Sequence, residues 1–294
     1  KLKRGKYRVF IDSKFKRNGN LSYGEILIPG KSKKEIFLST YICHPSMANN
    51  ELSGPCVTIY LANWIKNLKN RRYSYRIILV PETIGSIAYL SKNYKIMKQN
   101  IIAGYNICCI GDDRNYSYLS SRNSNTLSDI VAKHVLRWKV KNFKSYAWLD
   151  RGSDERQYCA PGIDLPIASV MRTKYLEYPE YHTSLDNLEK VVTPKGLEGG
   201  YNILKEMLLV LEKNITPKYT ILCEPQLSKR NLYSKISKKN EVSKDSYMML
   251  HLLSLSDGKT TLIEIAEKCS KPIWELHKVI KKLLDHKLIK IKYK

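Results

Sequence analysis

The stretch ICHPSMANNELSG at residues 42–54 decides the fold. It ends a nearly continuous apolar run at residues 35–43 and precedes a segment with apolar residues at helical spacing. Such a run is typical of a strand that is buried on both faces of a parallel sheet. His44 and Glu51 lie just after the run. Since imidazole and carboxylate are both zinc ligands, the stretch predicts half of a metal site at the end of a buried strand.

Further apolar runs alternate with helical patterns along most of the chain. The alternation predicts an α/β fold, with a mostly parallel or mixed sheet and helices on both faces. Ligands of such sheets bind beyond the carboxyl ends of the strands. The further strands are expected at residues 75–80, 101–110 and 165–171, and helices at 55–68, 85–97, 124–140 and 188–211.

Polar side chains follow each of the four predicted strands. His44, Glu82 and Asp112 come within two residues of the first three strands, and His182 lies in the loop after the fourth. Because the carboxyl ends of parallel strands meet at one edge of a sheet, we expect these four side chains to lie together.

The composition limits the partners and the compartment. The net charge of +24 would attract polyanions, but the lysines are spread along the whole chain, as an AT-rich genome also produces. No apolar run approaches the roughly 20 residues that span a bilayer, so we expect no membrane association. Seven cysteines, an odd number without a CxxC pair, predict reduced cysteines in a cytoplasmic protein.

Turn signals and composition divide the chain into four segments. Residues 7–11 and 21–28 predict two strands joined by a turn. Near the C-terminus, three helical patterns followed by a short strand predict a winged helix. The expected segments are a hairpin or the exit from an inserted β unit at 1–30, the α/β domain at 31–225, a linker at 226–240 and the winged helix at 241–294.

The third helix of the predicted winged helix is expected to have a basic exposed face. It suits phosphate contacts, but the Arg, Asn and Gln side chains that read base edges are absent from it. We therefore expect residues 271–293 to contact nucleic acid without reading its sequence. The alternative is that they pack against a protein partner or against the rest of the chain. The side chains expected on the exposed face are Lys271, His277, Lys278, Lys281 and Lys282.

Glu51 has two possible roles. Ser53 and Pro55 suit the cap and the first turn of a helix, so Glu51 would lie at a helix start, where the helix dipole favours a carboxylate. It would then stabilise the helix without a metal, or it would join His44 as a zinc ligand.

Glu82 follows a buried strand and Pro81. A carboxylate that faces a cleft there suits the general base for a zinc-activated water. The alternative is hydrogen bonding to the loop amides of Gly85 and Ser86.

The remaining candidates lie in two loops. Asp186 would orient the ring of His182 through its second nitrogen. Asp154 would hold a substrate ammonium, and Arg156 a substrate carboxylate. Solvation at the protein surface is the alternative for Asp154 and Arg156.

Taken together, these residues resemble the zinc aminopeptidase superfamily. More closely, they resemble a bacterial branch of aminopeptidase-like proteins with a winged-helix tail, whose members often accompany polysaccharide biosynthesis genes. Members of that branch carry a β-rich insert, which implies that residues 1–30 are the exit from it and that the chain is a C-terminal portion. The motifs that carry the resemblance are His44, NELSG at 50–54, PETIGS at 81–86, SD at 153–154 and YHTSLD at 181–186.

The resemblance implies roles for single residues and also shows departures. Glu82 matches the general base, and Tyr181 is a candidate for substrate contact. The family's metal-bridging aspartate falls at Asn50, the carboxylate after the base falls at Thr83, and the remaining aspartate ligand falls near Cys108, with Asp112 nearby. A two-metal site looks depleted, and the implied ligands of a single Zn²⁺ are His44, Glu51 and His182.

Two functions from different classes follow. The first is a zinc-dependent aminopeptidase-like hydrolase that cleaves an amide or peptide bond in a small peptide or amino-acyl substrate. The second is a degenerate peptidase fold that binds a ligand and uses its tail on DNA or a protein. His44, Glu82 and His182 favour the first function, whereas Asn50 and Thr83 favour the second.

Overall fold

Seven strands form one mixed sheet in the computed structural model, which describes residues 2–232 and 244–292. The strand order is β1-β3-β2-β4-β7-β5-β6. The central pairs are parallel, whereas β1 pairs antiparallel with β3 and β5 with β7. The strands are β1 (Gly24–Ile28), β2 (Ser32–Tyr41), β3 (Tyr73–Val80), β4 (Ile101–Ile107), β5 (Ser117–Leu119), β6 (Lys144–Tyr146) and β7 (Ile167–Met171).

Helices cover both faces of this sheet, which confirms the predicted fold class. Strand β2 shows why its sequence is continuously apolar: Ile36 and Leu38 pack on one face, and Phe37 packs on the other. Helices α1, α3 and α5 pack on the first face, and α2 and α4 on the second. The helices are α1 (Ser53–Asn67), α2 (Ile84–Asn100), α3 (Leu127–Lys139), α4 (Glu155–Tyr158) and α5 (Pro194–Lys213).

The hairpin expected within residues 1–30 is wrong. Residues 7–11 form no strand, and Phe10 is 84% exposed. Strand β1 pairs with β3 of the main sheet instead. The physical reason is that an isolated two-stranded hairpin is marginal in water. The apolar side chains of residues 9–11 are exposed and pack against no layer formed by the described residues.

Helix α1 begins differently from the expectation. A π-helical turn at Ala48–Leu52 precedes it without a break, so Ser53 is not its cap. The Ser53 hydroxyl instead donates to the Asn49 carbonyl oxygen at 2.5 Å. A Cβ on Gly54 would lie 2.4 Å from Thr40 Oγ1, so glycine is needed for α1 to approach β2 this closely.

The C-terminal unit contains α6 (Lys244–Leu255), α7 (Leu262–Lys268) and α8 (Ile273–Asp285). Strand β9 (Ile289–Lys292) pairs antiparallel with β8 (Thr216–Tyr219), so the unit includes a strand that lies before the boundary expected at residue 225. The expected linker starts with a short turn that buries Leu227, and its residues 233–240 lie outside the described residues. Within the described part of the chain, no helix combines the length and the hydropathy that a membrane span requires.

The first turn of α8 docks on α3. His134 accepts a hydrogen bond from the Ile273 amide at Nε2 (3.0 Å), and its Nδ1 lies 2.6 Å from Glu267 Oε1. Trp274 packs edge-on against the His134 ring. The expected exposure of His277 is wrong, because this side chain is half-buried and burial lowers its pKa to about 4.

We expect His134→Ala to lower the free energy of unfolding by about 1–3 kcal/mol at pH 8, since the Ile273 amide and Glu267 lose their partner. Burial lowers the pKa of His134 in the folded chain. Its contribution is therefore present above the unfolded value of about 6.5 and is lost as the pH falls below it. Urea denaturation should show a smaller difference at pH 5 than at pH 8.

The control for this variant is Arg137→Ala, which removes a more exposed ion pair to the same Glu267. We expect it to cost less than about 1 kcal/mol. Equal losses in the two variants, or a His134→Ala effect that is independent of pH, would contradict the role assigned to His134.

Candidate active site

The loops after β2, β3 and β4 meet at one edge of the sheet because these strands are parallel neighbours. His44 follows β2, and Glu82 follows β3. Glu51 lies in the π-helical turn before α1 and is 2% exposed. The topology therefore brings three of the predicted site residues to the same place.

Three donors converge on a single oxygen of Glu51. His44 Nδ1 lies 2.6 Å from Oε1, and Asn50 Nδ2 lies 2.9 Å from it. The thiol of Cys43 is 3.5 Å from the same oxygen. The second oxygen, Oε2, accepts from the Cys43 amide at 2.9 Å, which fixes the orientation of the carboxylate.

The donor atoms of Cys43, His44 and Glu51 all lie within 4.8 Å of one another. Thiolate, imidazole and carboxylate are the ligand types that zinc takes in proteins, so these residues fit the ion. His182 is outside this group. Its exposed ring has its centroid 5.1 Å from that of His44 and stacks on Tyr181 at 4.0 Å.

Cys43 did not emerge from the sequence as a site residue. The signal that could have found it is its place directly before His44, where the apolar strand ends. Burial raises the pKa of its thiol to about 11, so without a metal the sulfur is a protonated thiol at neutral pH and not a nucleophile.

Glu82 is half-buried at this edge. Burial raises its pKa, and the nearby charge of Glu51 acts in the same direction, while hydrogen bonding from Ser153 opposes the shift. A carboxylate with a raised pKa is a better proton acceptor than an ordinary glutamate. The Gly85 amide, named above as an alternative partner, donates to the Pro81 carbonyl oxygen at 2.9 Å.

The expected contact between Asp154 and a substrate ammonium is wrong. Asp154 is fully buried, and its Oδ1 accepts from the Thr83 amide at 2.7 Å and the Ser86 hydroxyl at 2.9 Å. Thr83 adopts a left-handed φ of 62°, a conformation that a threonine rarely takes without support from its surroundings. Asp154 therefore holds the loop that follows Glu82.

We compare the free energies of unfolding of Asp154→Asn and of the unmodified chain. As the pH rises from 4 to 8, we expect this difference to shift by about 2–4 kcal/mol in favour of the variant. Burial raises the pKa of Asp154 to about 7, so the folded state holds its proton where the unfolded state has lost it. The stability of the unmodified chain must then fall as the pH rises from about 4 to 7. Denaturation at several pH values measures this slope.

Asn can keep both hydrogen bonds through its carbonyl oxygen, so the fold survives this exchange. Asp113→Asn, at an exposed carboxylate on the same edge, is the control and should leave the pH slope unchanged. If the free energy of unfolding of Asp154→Asn changes with pH just as that of the unmodified chain does, Asp154 ionises normally.

Two further acids have structural roles. Asp112 accepts from the Thr173 amide and hydroxyl and from Asn49. Asp186 accepts from the Asn49 and Asn50 amides at 2.7 and 3.1 Å, at the start of the π-helical turn. The expectation that Asp186 orients His182 is therefore wrong, because both oxygens of this carboxylate are directed at backbone amides.

Arg156 and Glu155 support the loop around the base. Arg156 is exposed and donates to Thr83 Oγ1 at 2.8 Å and to the Ser153 carbonyl oxygen at 3.0 Å. Glu155, which the sequence did not single out, is fully buried and accepts from the Ser153 amide at 2.8 Å. Both residues thus hold the backbone of Ser153, whose side chain is hydrogen-bonded to Glu82.

Neutral groups occupy the three positions at which the resemblance described above would place carboxylate ligands. Asn50 Nδ2 donates to the Tyr41 hydroxyl at 3.3 Å. Cys108 is fully buried beside Tyr41, and hydrogen bonding to Cys109 together with burial raises the pKa of its thiol. Thr83 Oγ1 contacts only the guanidinium of Arg156 among its hydrogen bonds in the described residues.

The sheet, its helices and the C-terminal unit define an aminopeptidase-like α/β fold with a winged-helix domain. Its fold is shared by a zinc aminopeptidase from Bacillus subtilis, with a TM-score of 0.53 and 15% identity over 64% of this chain and 48% of that one. The chain belongs to the family described as domain of unknown function DUF4910, whose model matches residues 12–214. A winged helix-turn-helix model matches residues 215–291, which agrees with the pairing of β8 and β9.

A curated relative and a solved structure, both from Clostridium acetobutylicum, are more similar in sequence. One is named provisionally as a polysaccharide biosynthesis protein with an aminopeptidase-like domain and is 39% identical over 267 residues. The match includes 89% of this chain but only 59% of the length of that relative. The other is a crystal structure named provisionally as a peptidase, with a TM-score of 0.83, 35% identity, and coverage of 92% of this chain and 60% of that one.

Proposed function

We propose that the protein is a zinc-dependent hydrolase that cleaves the amide or peptide bond of a small peptide or amino-acyl compound. The observation that carries the proposal is the meeting of two parts at one sheet edge. The His44–Glu51 pair supplies metal donors. Glu82 supplies a base, and the nearby charge of Glu51 contributes to its raised pKa.

The residues that would hold a single ion are His44 and Glu51, with His182 or Cys43 as the third donor. When bound, zinc would polarise the scissile carbonyl and activate the attacking water. The neutral side chains of Asn50 and Cys108 support one ion instead of two, because a second divalent cation there would lack carboxylate ligands.

The chain's own residues supply the proton transfer and the substrate contacts. Glu82 accepts the proton of the attacking water and passes it to the leaving amine. The Tyr181 ring stacks on His182, and burial raises the pKa of its hydroxyl, so it stays a hydrogen-bond donor for a substrate carbonyl. The exposed guanidinium of Arg156 suits a substrate carboxylate.

Removal of the metal tests this proposal. We expect hydrolysis of a panel of dipeptides and aminoacyl p-nitroanilides to cease after dialysis against a chelator and to return with added Zn²⁺. Addition of Mg²⁺ is the control, since a site with imidazole and possible thiolate donors disfavours it. Activity that survives complete metal removal would overturn the proposal.

The second candidate is a ligand-binding or regulatory protein that uses its winged helix on DNA. The neutral Asn50 and Cys108 favour it. Its weakness is that winged helices place the start of the recognition helix on DNA, whereas the start of α8 is bound to His134. Salt-dependent binding of the full chain to duplex DNA, through exposed lysines such as Lys278, would support this candidate.

The same proposal places the protein in the cytoplasm and links it to polysaccharide biosynthesis. The seven free cysteines support a reducing compartment. The name of the curated relative supports the link to polysaccharide biosynthesis.

A further inference from the structure

We infer that Cys43 is a ligand of the metal ion, through its thiolate sulfur, together with His44 and Glu51. The inference rests on the proposed function and specifies the chemistry of its site. It starts from the placement of Cys43, which is exposed to solvent at the end of β2 and has its sulfur beside the two donor atoms already described.

Two of the three separations between the donor atoms match those around a tetrahedral ion. The Cys43 sulfur lies 3.7 Å from His44 Nδ1 and 3.5 Å from Glu51 Oε1. Bond lengths of about 2.3 Å to sulfur and about 2.0–2.1 Å to nitrogen or oxygen put such atoms about 3.6 Å apart on a zinc tetrahedron. Only the 2.6 Å hydrogen bond between His44 and Glu51 must open, to about 3.4 Å by the same bond lengths.

The three donor atoms surround the space that a cation would take. His44 Nδ1 and the Cys43 thiol are both directed at Oε1 of Glu51. When the ion binds, the imidazole carries its proton on Nε2, and the thiol proton leaves to solvent as the sulfur–metal bond forms. Asn50 keeps its hydrogen bond to Oε1 and orients the carboxylate, as groups around metal ligands do.

This ligand set restores charge that the site otherwise lacks. One thiolate and one carboxylate balance the charge of a divalent cation. The neutral side chains of Asn50 and Thr83 contribute no charge. A set with sulfur and nitrogen donors selects Zn²⁺ or Co²⁺ over Mg²⁺ and Ca²⁺. Three ligands leave one position of the tetrahedron open, and His182, stacked on Tyr181, is then available to contact substrate.

Cobalt spectroscopy of the full chain tests the inference. We expect the unmodified chain to bind one equivalent of Co²⁺ and to show an intense near-ultraviolet band from thiolate-to-cobalt charge transfer. Cys43→Ser should lose this band and bind Co²⁺ more than about 10-fold more weakly. Cys56→Ser, at an exposed cysteine of α1, is the matched control and should keep both.

The outcomes separate this inference from the proposed function. Cobalt bound with visible d–d bands but without the thiolate band, or a band that persists in Cys43→Ser, overturns the role of Cys43 and leaves the metal site standing. Failure to bind Co²⁺ or Zn²⁺ at all overturns both. X-ray absorption of the zinc-loaded unmodified chain decides the question without any variant, since a sulfur neighbour at about 2.3 Å supports the inference and only nitrogen or oxygen neighbours refute it.

Discussion

Glu82→Gln is expected to lower kcat/KM for hydrolysis by about 10²–10⁴-fold, the usual contribution of a positioned general base. Glutamine keeps the size of the side chain and can still accept a hydrogen bond from Ser153, so the loop after β3 should hold its shape. It cannot take a proton from water. Steady-state kinetics with the best dipeptide of the panel measures the loss, and metal analysis of the same sample shows that the site is still loaded.

Asp113→Asn is the matched control for this experiment, because Asp113 is an exposed carboxylate at the same sheet edge. It should retain full activity. Hydrolysis by Glu82→Gln at the rate of the unmodified chain would show that Glu82 is not the base.

Glu51→Gln is expected to weaken zinc binding by more than about 100-fold, since exchanges of residues around metal ligands alone cost about 10–100-fold. The amide loses the negative charge and brings a nitrogen donor close to the Cys43 amide or the His44 ring. Competition with a chromogenic chelator measures the affinity. Glu189→Gln, at an exposed glutamate, should bind zinc as the unmodified chain does.

This variant also decides between the two roles of Glu51 that the sequence leaves open. If Glu51→Gln keeps zinc affinity and loses only stability, the carboxylate serves the π-helical turn and His44 without binding a metal. Loss of zinc affinity is the result that the proposed site requires, whatever the change in the free energy of unfolding.

Much of the fold could be predicted because the central strands are buried on both faces. The continuous apolar run before His44 indicates such a strand, and β2 has Ile36 and Phe37 on opposite faces, both fully buried. By contrast, β5 and β6 have three residues each, too few to show a periodicity. Residues 7–11 look like a strand, but none of the described elements covers them.

The candidate site could be predicted only in part. The parallel strand order places His44 and Glu82 at one edge, and that order follows from the alternation of strands and helices. The roles of Asp154 and Asp186 could not be predicted, because a carboxylate that binds backbone amides has the same sequence appearance as one that faces substrate. Only the fold shows that these amides, of Thr83 and Asn49, lie within hydrogen-bonding distance.

The residues that depart from the zinc aminopeptidase pattern are neutral, and they reduce the number of possible metal ligands. The fold alone does not determine the reaction, and the neutral groups at Asn50 and Cys108 remove donors for a second ion. The charge and the donors that remain are concentrated in residues 43–51. If that short segment binds zinc, the chain has kept a single-metal form of the site with Glu82 as its base.

Metal stoichiometry of the full chain tests this most directly. Elemental analysis after loading with excess Zn²⁺ and extensive dialysis should find about one zinc ion per chain, as a three-ligand site predicts. The same analysis of Glu51→Gln should find almost none. Zinc-free protein after loading, or two tightly held ions per chain, would contradict a single catalytic zinc at His44 and Glu51.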